Sequence, residues 1–213
     1  MMQFIAKHTS IPVPRVYCAF ERRGCKYILM ERIQRHILRE HWLERSAESK
    51  EKILAQIKNM VDEMRRIPCP SGQGISNVAG GPLFDGRLPG GSYHGSFDTV
   101  RDFHRYLREG YEGGKEDAHE ANRLVEWHDQ LSSKPIFTHG DLNTMNIMIR
   151  GDEVVGIVDW ETAGWWPEYW EYTSAWHVNP YDEFWRQDVD KFLEPREEEL
   201  DMEKARRRWF GVF

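Results

Sequence analysis

The sequence predicts an α+β fold in which a short antiparallel hairpin leads into a larger, mainly helical lobe. Three observations predict it. Apolar-rich runs at residues 15–21 and 25–33 flank Arg22, Arg23 and Gly24, the pattern of two strands joined by a tight turn. Ile53, Ile57, Met60, Val61, Met64 and Ile67 recur in steps of three and four, which places them on one face of a helix running from about Ser46. Ile136-Phe137-Thr138, Met145 to Ile149 and Val154 to Val158 are short β-rich runs, separated by a polar loop and by a turn at Gly151 and Asp152.

The remaining elements follow in chain order. Phe4-Ile5-Ala6 reads as the last turn of a helix that Pro12 cannot continue. Residues 68–95 are rich in glycine and proline with scattered apolar residues, so they read as one long loop, a length that in compact domains is often functional. A cap at Ser96 or Asp98 opens a helix to Glu109 with Val100, Phe103 and Leu107 inward, and a third helix covers about Asp117 to Leu131. From Glu168 to Phe213 the chain reads as helices interrupted at Pro180 and Pro195.

Composition narrows the function. The 213 residues carry 29 basic and 35 acidic side chains, a net charge of −6 that argues against nucleic acid as a partner. The basic run Lys204 to Arg208 follows the acidic run Glu197 to Asp201 at a spacing that pairs charges along a solvated helix face. Tyr27 to Met30 and Val154 to Val158 fall far short of the roughly 18 apolar residues of a membrane helix, and residues 1–10 lack the apolar core of a signal peptide. Cys18, Cys25 and Cys69 have no metal or redox spacing and read as reduced packing residues of a cytoplasmic protein.

The informative stretch runs from His139-Gly140-Asp141 through Asn146 to Asp159-Trp160-Glu161. Pairing residues 147–149 with 154–158 puts Asn146 beside Asp159, and the loop folds Asp141 back towards them. Such a set of oxygen donors suits a hard divalent cation and leaves one carboxylate free to act on a substrate.

In these residues the chain resembles the aminoglycoside phosphotransferase family, small-molecule kinases of the protein-kinase-like fold. The family's catalytic loop, His-Gly-Asp, four residues, Asn, and its following Asp-Phe/Trp-Glu/Asp segment both occur here, and residues 163–171 also look like the family. The resemblance implies ATP and Mg2+ as cofactors and a hydroxyl of a small molecule as acceptor. It implies Asp141 as catalytic base, Asn146 and Asp159 as magnesium ligands, and His139 with Gly140 as structural support. Met30, Glu31, Arg32 and Ile33 match the hinge whose backbone holds adenine. Residues 1–33 would then be a remnant of the N-terminal lobe, and residues 34–213 the C-terminal catalytic lobe.

The resemblance also has gaps. A Gly-rich loop, a strand lysine and a helix glutamate have no counterpart, so weakened nucleotide binding is expected and the hairpin should present an exposed edge. Asn143 stands where the family often has His, and Arg35 where it commonly has Gly. The alternative from another class is a non-catalytic, pseudokinase-like binding or regulatory protein with a protein partner. A metal hydrolase using His139, Asp141 and Asp159 has little support, since His36 and His41 are five apart with no helix signal to join them. The tryptophans at 160, 165, 166, 170 and 176 read as core, with an aromatic cage for a cation as the less favoured option. Glu161, Glu168, Asp182 and Glu183 are acids that could meet an amine-bearing substrate.

Overall fold

In the computed structural model, residues 1–211 are described apart from 35, 89, 91, 115, 117, 132, 178 and 179, so Arg35 and the expected helix start at Asp117 lie outside the described residues. Helix α1 (Met2–His8) ends before Pro12 and buries Ile5, and the chain then enters β1 (Val16–Arg22) and β2 (Cys25–Met30). Arg23 and Gly24 both have positive φ, 54° and 75°, as a two-residue turn matched to strand twist requires. Among the described residues the two strands pair only with each other. Tyr17, Phe20, Tyr27, Ile28, Leu29 and Met30 are each about half exposed, which leaves this two-stranded sheet an apolar surface and open edges. Cys18 and Cys25 are exposed here as free thiols, which corrects their reading as packing residues; Cys69 is half-buried.

After the short strand β3 (His36–Ile37) and a 3-10 turn (Leu38–His41), helix α2 (Ala47–Arg65) starts at the Ser46 cap, whose side chain accepts from the Ser49 amide. Its apolar stripe, Ile53, Leu54, Ile57, Val61 and Met64, is buried, each such side chain contributing roughly 1.5–3 kcal/mol of transfer free energy. The long loop is less formless than expected. Its strands β4 (Leu83–Phe84) and β5 (Tyr93–His94) make a small hairpin, and Ser76 bridges to Trp165. Thr99, rather than Ser96 or Asp98, caps helix α3 (Val100–Leu107), because its hydroxyl is the one that accepts from the Asp102 amide.

Helix α4 (His119–Gln130) leads to β6 (Pro135–Thr138), β7 (Ile147–Arg150) and β8 (Glu153–Ile157). Strands β3, β7 and β8 form one antiparallel sheet with β7 central. An unexpected strand, β9 (Gly164–Pro167), pairs with β6, Ile136 opposite Trp166. Helix α5 (Trp170–Trp176), a 3-10 stretch from Pro180, α6 (Arg186–Val189) and α7 (Glu197–Phe210) complete the lobe. The face of α7 is not wholly solvated: Glu203 and Arg206 are buried and paired at 2.6 Å, and Arg208 and Trp209 bind Glu120 on α4. Trp160, Trp165, Trp166 and Trp170 are at most 4% exposed, so the cage option falls; they are core, and Trp176 sits under Arg186 at 4.8 Å and Lys204 at 5.0 Å. No helix among the described residues is long and apolar enough to cross a membrane.

Candidate functional site

Strands β6, β7 and β8 bring their loop ends to one place. The 139–146 loop leaves β6 and enters β7, and the Val158 amide donates to the Asn146 carbonyl at 3.0 Å, so Asp159 follows one residue past the position opposite Asn146. Within the loop, Asn146 Nδ2 donates to the carbonyl oxygen of Asp141 at 2.8 Å and to its carboxylate Oδ2 at 2.9 Å. Asn146 itself is 7% exposed. Asp159 is exposed, holds a left-handed backbone at φ 60°, and has no hydrogen bond to either carboxylate oxygen among the described residues. A carboxylate and an amide oxygen are hard oxygen donors, the donor class that a magnesium ion would take.

The loop is held by buried groups. His139 is fully buried; its Nδ1 accepts from the Asp141 amide at 3.2 Å, so Nε2 carries the proton and donates to the Val158 carbonyl at 3.0 Å. Burial pushes its pKa down to about 4, so the ring is neutral and joins the loop to the strand before Asp159. Gly140 has φ 81°, and a Cβ there would lie 3.1 Å from Thr162 Oγ1, which explains glycine at this point.

Three groups at the site escaped the sequence reading. Glu171 on α5 is fully buried and accepts from both the His139 amide, 2.7 Å, and the Gly140 amide, 3.1 Å. Burial raises its pKa to about 7 against the opposing effect of those bonds. Asp182, expected as a surface acid, is 1% exposed; it accepts from Thr144 Oγ1 at 2.6 Å and pairs with Arg39 at 3.2 Å, bracing the loop's far end. Glu168 and Glu183 are likewise paired, with Arg196 and Arg186. The third group comes from the long loop. Asp85 is fully buried and binds Arg87 through Nε at 2.8 Å and Nη2 at 2.7 Å; Arg87 in turn reaches Asp141 Oδ1 at 3.4 Å and the Gly140 carbonyl. An Asp-x-Arg pair amid glycines, flanked by Leu83-Phe84 and Tyr93-His94, was the signal available in the sequence.

Electrostatically, burial pushes the Asp141 carboxyl upward while Arg87 and the amides of Asn146 and Asn143 oppose it. Burial and the neighbouring acids Asp159, Asp141 and Asp85 push Glu161 upward as well. A cleft of about 390 Å³ lies over this junction, lined by Ile28, Met30, Val158, Asp159, Trp160 and Glu161 together with Met1 and Met2. Of the expected hinge residues, Met30 alone is in that lining. The Glu31 amide donates to the Arg15 carbonyl at 2.8 Å, Arg32 is exposed, and Ile33 packs over Gly156. His36 and His41, expected to stay apart, are brought together by the 3-10 turn, their ring centroids 5.0 Å from each other.

A profile of the phosphotransferase enzyme family, APH, matches residues 1–208. Among solved structures, 97% of this chain aligns with 70% of aminoglycoside phosphotransferase APH(4)-Ia at a TM-score of 0.64 and 18% identity. A thermostable mutant of that enzyme in ternary complex with ADP and hygromycin B gives 0.61 and 17%, over 97% of this chain and 69% of the other. The GDP complex of wild-type aminoglycoside 2'-phosphotransferase-IIIa gives 0.57 and 16%, over 98% and 69%. Comparison with curated proteins finds no match. Identities this low carry the fold alone, the protein-kinase-like α+β architecture, while a profile spanning nearly the whole chain carries the family: the chain belongs to the phosphotransferase enzyme family.

Proposed function

We propose that the chain is an ATP- and magnesium-dependent phosphotransferase acting on a hydroxyl of a small molecule. The observation that carries this reading is the junction of Asp141, Asn146 and Asp159, in which the Asp141 carboxylate is oriented by Asn146 and Arg87 while the Asp159 carboxylate, without a hydrogen bond among the described residues, lines the cleft. Asp141 orients the acceptor hydroxyl and accepts its proton as that oxygen bonds to the γ-phosphorus and the bond from γ-phosphorus to ADP breaks. Asn146 and Asp159 hold magnesium, which when bound neutralises the phosphate oxygens. His139, Gly140 and Glu171 keep the loop in shape, and Arg87 together with Asn146 fixes the Asp141 carboxylate.

In this reading residues 1–33 form the remnant of the upper lobe, with Met30 to Ile33 as hinge, and residues 34–213 the catalytic lobe. Among the described residues, the lining of the cleft offers two carboxylates and an apolar wall of Met1, Met2, Ile28 and Met30, where magnesium would offset the charge of the phosphates. The hygromycin B bound by the APH(4)-Ia mutant makes polyhydroxylated amines the first acceptors to try. The test is transfer of labelled γ-phosphate to a panel of such compounds. Transfer that Asp141→Ala abolishes in a folded variant supports the reading; transfer retained by that variant removes Asp141 from its role, and no transfer to any acceptor returns the chain to the non-catalytic alternative.

A further inference from the structure

Between the hinge and helix α2 lies a cluster of side chains that the phosphotransfer reading does not use. His36 stands in β3, held to β7 by its register opposite Ile149, and the 3-10 turn that follows buries Leu38 fully. That turn carries Glu40 and His41 onto the same outer face. Glu40 Oε2 is 3.1 Å from His36 Nδ1, and the two imidazoles meet edge to face at 5.0 Å. One ligand atom from each of His36, Glu40 and His41 lies within 4.8 Å of the others. Glu44, on the next turn, places Oε2 3.6 Å from His41 Nδ1.

We propose that His36, Glu40 and His41 form a binding site for a borderline-soft divalent transition metal, zinc being the best fit, with Glu44 as the fourth ligand. Imidazole nitrogens select zinc, nickel or copper over the hard cations that suit Asp159 and Asn146, so this site is chemically distinct from the magnesium site. Tetrahedral zinc at about 2.0–2.1 Å from each donor needs donor separations of roughly 3.3 Å. The separations of 3.1 Å between His36 and Glu40 and 3.6 Å between His41 and Glu44 are close to that figure. The four side chains are 66%, 50%, 47% and 81% exposed, so closure displaces nothing in the core. Two neutral imidazoles and two carboxylates sum to −2, which matches the ion. Among the described residues, Arg39 on the same turn is directed to Asp182 at 3.2 Å and to the Met145 sulfur at 3.6 Å.

The site's place in the fold gives it a consequence. The same turn donates from the Arg39 amide to the Thr144 carbonyl of the catalytic loop at 3.2 Å, and it follows β3, a few residues after the hinge in sequence. A metal spanning residues 36–44 therefore stiffens the segment between hinge and loop. Neither the binding nor this stiffening depends on phosphotransfer.

The test is calorimetric titration of tag-free protein with zinc chloride at pH 7.5, with cobalt substitution read by visible absorption. Binding of one zinc with Kd on the order of 10 µM is expected. His36→Ala/His41→Ala, both at exposed positions, should weaken it at least tenfold and remove the zinc-induced rise in melting temperature. Cobalt should show the visible bands of a tetrahedral site in the wild type and not in the histidine variant. Since Cys18 and Cys25 are exposed thiols able to bind zinc, Cys18→Ser/Cys25→Ser is the control and should bind as the wild type does. No binding at millimolar zinc, affinity unchanged by the histidine substitutions, or affinity lost in the cysteine variant would each overturn the assignment.

Discussion

Asp85→Asn keeps the volume of a fully buried side chain and removes its charge. Asp85 accepts from the Arg87 backbone amide at 2.9 Å, from Nε at 2.8 Å and from Nη2 at 2.7 Å. The asparagine turns one acceptor into a donor that faces a guanidinium donor. Breaking a buried pair on one side costs about 3–5 kcal/mol, and because Arg87 is 27% exposed the lower end applies, about 3 kcal/mol. For a domain of 213 residues that is a fall of about 6–12 °C in melting temperature. Urea melts followed by fluorescence of the nine tryptophans measure the first figure, and calorimetry the second. Amide resonances of Gly140 and Asp141 should move as Arg87 loses its anchor, because its guanidinium touches both residues. A loss below about 1 kcal/mol, with those resonances in place, would refute the argument that the long loop clamps the catalytic loop.

Other predictions rest on separate contacts. Glu171 has a folded pKa of about 7 against an ordinary 4.5, so the unfolded chain loses its proton first and stability falls as pH rises through that window. At about 1.4 kcal/mol per unit this is about 3 kcal/mol, and Glu171→Gln should flatten the stability curve between those pH values by that order; parallel curves would contradict it. Gly164→Ala puts a Cβ 2.4 Å from Leu83 Cδ2 and 2.6 Å from the Ser76 carbonyl, so it should cost about 2 kcal/mol in urea melts. Gly86→Ala, with nothing within 4 Å of the new atom, should stay within about 0.5 kcal/mol. Equal effects of the two would remove the close approach as the reason.

The parts legible in the sequence are those whose determinants are local. Helix α2 declares itself through its stripe and its Ser46 cap, and β7 and β8 through two apolar runs about Gly151 and Asp152. What escaped depends on distant partners. Strand β9 is Gly-Trp-Trp-Pro, with no alternation to mark it, and becomes a strand because β6 lies alongside. Glu171 lies in an aromatic helix, and nothing near it in sequence shows that it faces two amides more than thirty residues earlier. The expected surface acid Asp182 is buried for the same reason, its partners Thr144 and Arg39 being remote. Among the site residues, the closeness of Asn146 and Asp159 followed from the hairpin register, whereas the link from Arg87 to Asp141 required the fold.

The central claim is that the junction at Asn146 and Asp159 binds a magnesium-bound nucleotide. Calorimetric titration of the purified chain with ATP, with and without magnesium and with Asp159→Ala alongside, tests it most directly. The account predicts magnesium-dependent binding in the micromolar to low-millimolar range, lost in the variant. Absence of binding at millimolar ATP by the folded protein, or binding that Asp159→Ala leaves unchanged, would contradict it.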